Sequence, residues 1–249
     1  MNYIHRSLEK VVMEVTREYP VVLVTGPRQV GKTTMLQKLM EGTERNYVSL
    51  DDLNNRNLAK NDPELFLQLH KPPVLIDEVQ YAPELFTYIK IYVDKQHHAG
   101  DFWLTGSQVF KMMDGVQESL AGRVAVLSLT SLSQAEISGG DMEPFMLDLE
   151  KLSIRGKSRK RADTPEIFNR IYKGSMPAMV NGQHSNNNIF YSSYIATYIE
   201  RDIKALSDAI DTLKFLNFIQ QRRQDADKCL MLRKLPEMRT LIKSRQRNG

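Results

Sequence analysis

Apolar residues gather along this chain in short blocks, and the blocks follow two different periods. VVLVT (21–25), NYVSL (46–50), PVLID (73–77), FWLTG (102–106) and VAVLSL (124–129) are dense runs of five or six residues. That length suits strands covered on both faces. Between the runs, apolar positions recur every three or four residues. TMLQKLMEG turns Met35, Leu36, Leu39 and Met40 to one side and ends on a capping Gly42. PELFTYIKIYVDKQ (83–96) reads as a second such helix, and residues 3–18 predict an amphipathic helix with Ile4, Leu8, Val11 or Val12, and Val15 on one face, stopped by Pro20. Strands alternating with helices predict an α/β fold, a parallel sheet flanked by helices on both faces.

Strand patterns fade after about residue 135, and GGDMEP (139–144) marks a boundary. Further on, NNNIFYSSYIATYIERDIKALSD sets Tyr191, Tyr194, Ile195, Tyr198, Ile199, Ile203 and Leu206 at helical spacing. This stripe reads as helix core, because base-stacking aromatics belong on strands in single-strand-binding folds. The expected division is a core with its leading helix at 1–138, a lid or linker at 139–187, a helical segment at 188–219 and a divergent tail at 220–249.

Charge sharpens that division. The 249 residues carry a net +4, yet residues 220–249 alone hold nine Lys/Arg against three Asp/Glu, leaving 25 basic and 27 acidic side chains in 1–219. The body is therefore not basic, which removes the simplest argument for nucleic-acid binding. KLSIRGKSRKR (151–161) is a second basic cluster, either a solvated loop or a contact for nucleic-acid phosphates. The single Cys229 excludes an intrachain disulfide framework and fits a reducing compartment. With no apolar run near the ~18 residues of a membrane span, and charged residues interrupting any signal-peptide core, a cytoplasmic location is expected.

The chemistry concentrates in GPRQVGKTT (26–34), which satisfies G-x-x-x-x-G-K-[ST] between a strand and a helix. Gly26 and Gly31 let backbone N–H groups turn toward an anion, and the helix start at Lys32–Thr34 adds its positive end. Lys32 is expected on the β- and γ-phosphates of a nucleoside triphosphate, with the Thr33 hydroxyl on Mg²⁺. Asp77, ending the strand in PPVLIDEVQ, is placed to hold Mg²⁺ through water, and Glu78 to polarise an attacking water. Thr105 and Ser107, after the FWLTG strand, are candidates for sensing the γ-phosphate or that water. His97 and His98 lack a partner at metal-ligand spacing and read as surface residues.

GPRQVGKTT, YVSLDD, PPVLIDEVQYAPELF, LTGSQ, ESLAGRV and YIATYIERDIKAL together resemble a large group of prokaryotic AAA-like ATP-binding proteins, in which an ATPase domain precedes a C-terminal domain of unknown function. The resemblance spans roughly residues 3–219. It implies the additional-strand P-loop architecture, in which another strand separates the Asp-Glu strand from the P-loop strand, followed by a C-terminal helical segment. It also implies ATP rather than GTP, with Mg²⁺. The implied nucleotide contacts are Gly26, Pro27, Arg28, Gln29, Val30, Gly31, Lys32, Thr33, Thr34, Asp77, Thr105 and Ser107. Thr33 and Asp77 take the metal; Glu78, Lys32 and Arg123 take catalytic roles. Arg28 either braces the loop or reaches a phosphate, and Arg123 either completes the site in cis or in trans or forms a structural salt bridge.

After Phe218 the family pattern stops. One permissible codon choice for the tail, read one nucleotide out of phase, gives AAPGRGQMLNVAEIARDADI, which restores that pattern; residues from about 221 are accordingly expected to be a frameshifted tail. The nuclease-like C-terminal domain of the family is then expected to be missing, and its D/E-x-K signature is met only at Asp202-Ile-Lys204, in a helical pattern where a nuclease needs a strand. Three functions fit: a Mg²⁺-dependent ATPase acting as a conformational switch, a non-catalytic ATP-gated interaction module with a protein or DNA partner, and a small-molecule kinase. Glu78 beside Asp77 favours water as the acceptor over a kinase substrate. Oligomer formation stays open.

Overall fold

In the computed structural model the described residues are 2–107, 115–116, 118–140, 147–158 and 162–199. Five parallel strands, β1 (Val21–Thr25), β2 (Asn46–Ser49), β3 (Val74–Asp77), β4 (Phe102–Gly106) and β5 (Val124–Ser128), form one sheet in the order β2-β3-β4-β1-β5. β4 thus lies between the P-loop strand β1 and the Asp-Glu strand β3, the additional-strand arrangement. All five runs expected as strands are strands.

Alternation along the central strands divides the core between two faces. Val21, Leu23, Phe102, Leu104, Val74 and Ile76 point to one side, beneath α3 (Leu53–Asn61), α4 (Pro63–Leu69) and α5 (Leu85–Gln96). Val22, Val24, Leu75 and Trp103 point to the other, packed against α1 (Leu8–Val15) and α2 (Lys32–Met40). The helices α3 and α4 have no counterpart in the sequence reading. Each is capped from an aspartate: Asp52 accepts the N–H groups of Asn54 and Asn55, and Asp62 accepts that of Leu65 ahead of Pro63 at the first turn.

The leading helix is shorter than its pattern predicts. It starts at Leu8, and Ile4 lies in the preceding segment, on the wall of a cavity. The reason is visible at Arg6, whose side chain is drawn into the interior and whose N–H is held by Glu9 Oε1 at 2.6 Å.

After β5 the described residues form helices: α6 (Gln134–Ser138), α7 (Leu149–Ser158), α8 (Thr164–Lys173), α9 (Pro177–Val180), α10 (Asn187–Tyr194) and a π-helical turn at Ile195–Ile199. The chain divides into two units, Met1–Ser192 and Ser193–Gly249. Ile203, Leu206, Asp202, Lys204, Cys229, the tail from 220 and the end of the basic cluster at 159–161 lie outside the described residues.

Phe66 of α4 is fully enclosed in the first core face. Phe66→Ala should lower unfolding free energy by about 3–5 kcal/mol, the usual cost of removing a buried phenyl group. Urea denaturation followed by circular dichroism measures it.

Candidate nucleotide site

The register of the sheet brings three strand ends level. Thr25 pairs with Gly106, and Ile76 pairs with Leu104, so the loop after β1, Asp77 and Thr105 emerge side by side at the carboxyl edge, where α/β sheets take their ligands.

The loop after β1 is tightly determined. Gly26 has φ 138°, and a Cβ built there would lie 2.1 Å from the Leu129 carbonyl oxygen. Gln29 (φ 61°) and Gly31 (φ 92°) are also left-handed, so the chain folds back on itself before entering α2. Inside this curl Lys32, only 6% exposed, donates from Nζ to the carbonyls of Gly26 (3.0 Å) and Pro27 (2.9 Å). Val30 anchors the loop to the second core face, and Arg28 is half-buried beside it. Such a curl of backbone N–H groups ending at a helix N-terminus, with a lysine inside it, is an anion cradle.

Asp77 forms the second half of the site. Its Oδ1 accepts the Thr33 hydroxyl at 2.7 Å and also the Thr105 hydroxyl. Its Oδ2 accepts from Tyr47 at 3.3 Å, and burial, then the Asp77 charge, raises the Tyr47 phenol above its ordinary pKa. Glu78 follows in a left-handed conformation, φ 59°. Its N–H donates to Thr105 Oγ1 at 3.1 Å, and its Oε2 accepts from the Gln80 amide, with Ser107 Oγ 3.5 Å away.

Thr105 is wholly buried and engaged with Asp77 and Glu78, so its place is beneath the carboxylates rather than facing a ligand. Ser107, 9% exposed, sits beside Glu78 and Gln80. Arg123 is not brought to the site. It precedes β5 at the opposite, amino edge of the sheet, roughly 15 Å away along a five-residue strand. There it makes a two-pronged pair with Asp94, Nε to Oδ1 at 2.5 Å and Nη2 to Oδ2 at 3.0 Å, the salt-bridge alternative of the sequence reading. His97 and His98 are exposed after α5, and no group of three or more His, Cys, Asp or Glu side chains that could hold a metal ion occurs among the described residues.

Beside the loop lies a cavity of about 390 Å³, within the range of ligand pockets. Gly31 and Thr34 form one wall, Tyr3 and Ile4 another, and Pro177, Asn181 and His184 a third. Leu132 N–H donates to the Ser175 carbonyl at 2.9 Å, and the Ser131 and Ser175 hydroxyls meet at 2.8 Å, fixing that third wall to the segment after β5.

Sequence comparison agrees with this geometry. Residues 18–138 match the AAA domain family, and residues 164–238 match a domain of unknown function, DUF8612. The two matches together have the domain order of an AAA-like ATP-binding protein with a C-terminal domain of unknown function. The second match runs to residue 238, across the boundary near 221 that the sequence reading drew for the tail. Two uncharacterized proteins, from Mycobacterium bovis and Mycobacterium tuberculosis, are each 28% identical over 188 residues, covering 75% of this chain and 37% of theirs. The chain thus spans little more than a third of the length of these relatives. Similar solved structures include a Walker-type ATPase of Pyrococcus abyssi (15% identity, 91% of this chain and 77% of that one, TM-score 0.49) and AMPPCP-bound DnaA from Aquifex aeolicus (14% identity, 94% and 70%, TM-score 0.46). No helix among the described residues is long and apolar enough to cross a membrane.

Two partners in this site were given no role by the sequence: Tyr47, in YVSLDD on a neighbouring strand, and Gln80, at the end of PPVLIDEVQ. Only the register of β2 on β3 could have placed Tyr47 near Asp77.

Gly26→Ala should abolish nucleotide binding, because the added methyl group meets fixed backbone rather than a movable side chain. Equilibrium binding of a fluorescent ATP analogue checks this; wild-type affinity in a folded variant contradicts it.

Proposed function

We propose that this chain binds ATP with Mg²⁺ at the 26–34 loop and hydrolyses it. The observation that carries the reading is the 2.7 Å contact between Thr33 Oγ1 and Asp77 Oδ1, next to the buried Lys32 ammonium. Two oxygen donors held together at the end of a phosphate cradle suit a hard divalent cation. Thr33 would hold Mg²⁺, with Asp77 through water, and the ion would supply charge neutralisation on the phosphates.

The chain's own groups do the rest. Lys32 exchanges its carbonyl partners for phosphate oxygens, and the backbone N–H groups of the loop bind the same anion. Glu78 accepts the proton of the attacking water as its oxygen bonds to the γ-phosphorus and the bond to ADP breaks. Gln80 orients the Glu78 carboxylate, and Thr105 fixes both acidic residues to β4. Arg123 has no role in this mechanism within one chain.

The hydrolysis would act as a switch. The cavity wall at 177–184 belongs to the stretch that matches the C-terminal family, so a nucleotide seated there touches both matched regions. A second reading, an ATP-gated module without turnover, is favoured by the Gln80 bond, which occupies one oxygen of the Glu78 carboxylate. Under that reading ATP holds the C-terminal region ready for a protein or DNA partner.

Glu78→Gln should preserve ATP and Mg²⁺ binding while turnover falls roughly 10²–10⁴-fold, the scale of a positioned acid–base group. Asp77→Asn should weaken Mg²⁺ dependence and turnover together, and Lys32→Ala should lose ATP binding. Steady-state phosphate release alongside ATP affinity separates these outcomes. Hydrolysis at the wild-type rate by Glu78→Gln refutes the mechanism; binding without turnover in the wild type establishes the gated module.

A further inference from the structure

Arg6 stands 24 residues before the loop residue it touches, in a segment with no motif, yet its side chain is almost wholly enclosed, at 5% exposure. Nη1 donates to the Val30 carbonyl at 2.8 Å and Nη2 to the Thr130 carbonyl at 2.7 Å. Nε lies 3.2 Å from Oε1 of Glu136, itself buried to 3% side-chain exposure. Glu136 is held in turn: Oε1 accepts the Ser7 N–H (2.8 Å) and hydroxyl (3.0 Å), and Oε2 accepts the Ser133 N–H (2.7 Å). A guanidinium fixed by a carboxylate and spanning two carbonyls is a rigid clamp, because its donors are set in one plane.

The position of one of those carbonyls gives the clamp its consequence. The 30–31 peptide is trans, so its C=O and N–H point in opposite directions. Holding the Val30 carbonyl toward Arg6 turns the Gly31 N–H away from Arg6. Gly31, at φ 92°, has no Cβ to restrict its backbone, so nothing in the residue itself enforces that orientation.

We propose that Arg6 is a positioning residue for the phosphate cradle: it fixes the 30–31 peptide so that the Gly31 N–H faces the nucleotide phosphates, and Glu136 holds Arg6 in register. The inference rests on the ATP-binding reading above. It also explains why the leading segment leaves helical geometry before Leu8. Arg6 must reach the Val30 carbonyl, and a helix running from residue 3 would carry it elsewhere.

The test uses the full chain with Arg6→Gln and Glu136→Gln combined, which removes the clamp without stranding a buried charge. ATP affinity is measured by competition against a fluorescent ADP analogue, and steady-state hydrolysis gives KM and kcat. In the folded double variant KM and the ATP dissociation constant should rise about tenfold or more, the scale of a lost charge-assisted hydrogen bond. The kcat at saturating ATP should stay within a few-fold, since Asp77 and Glu78 are untouched. A role in fold stability alone gives the reverse, a lower apparent kcat from a smaller folded fraction at unchanged KM, and overturns the proposal. Should the double variant fail to fold, Arg6→Lys keeps the charge opposite Glu136 but lacks the fork that spans both carbonyls. It should raise the ATP dissociation constant severalfold, and unchanged affinity overturns the proposal. Failure of the wild type itself to bind ATP would instead refute the reading on which this one rests.

Discussion

One carboxylate oxygen ties the site together. Asp77 Oδ1 accepts hydroxyls from Thr33 and Thr105, and so joins the start of α2, the end of β3 and the end of β4 at a single atom. Three elements that enter the sequence far apart are thereby held at one depth in the sheet. A charged acceptor between a buried and a half-buried hydroxyl strengthens each bond where the local dielectric is low. The bond to Thr105 also fixes Glu78, whose N–H reaches the same hydroxyl. Displacing Asp77 therefore disturbs the proposed metal ligands and the proposed base at once.

The core was legible because its physics is local. Five dense apolar runs became the five strands, and β1 and β4 match their predicted limits. Lys32, Thr33, Asp77 and Glu78 followed from a loop and a strand end whose chemistry is written in adjacent residues. Their convergence, by contrast, depends on strand order, which the resemblance implied and the register of β3 on β4 and β4 on β1 describes. Helices α3 and α4 were not legible, since polar residues dominate α3 and its start is set by a single aspartate cap.

What the sequence could not yield are the long-range polar pairings. Arg6 and Glu136 are separated by most of the N-terminal unit, and each alone reads as a surface charge. Only folding brings both into the interior, where neither is tolerable without the other. Arg123 illustrates the converse. Its place in a family-like motif suggested a catalytic role, but the residue lies just before β5, at the edge of the sheet away from the loop, and is paired with Asp94. Position along a strand, which a motif does not encode, weighs against the role in cis.

The central claim is that the Asp77-centred junction and the adjoining loop form a site that cleaves ATP. Single-turnover hydrolysis of γ-labelled ATP by excess wild-type protein addresses it most directly, run with Mg²⁺ and again after chelation with EDTA. The account predicts release of labelled phosphate in the presence of Mg²⁺ and its loss on chelation. Labelled ATP that stays bound and intact in the presence of Mg²⁺ would contradict it.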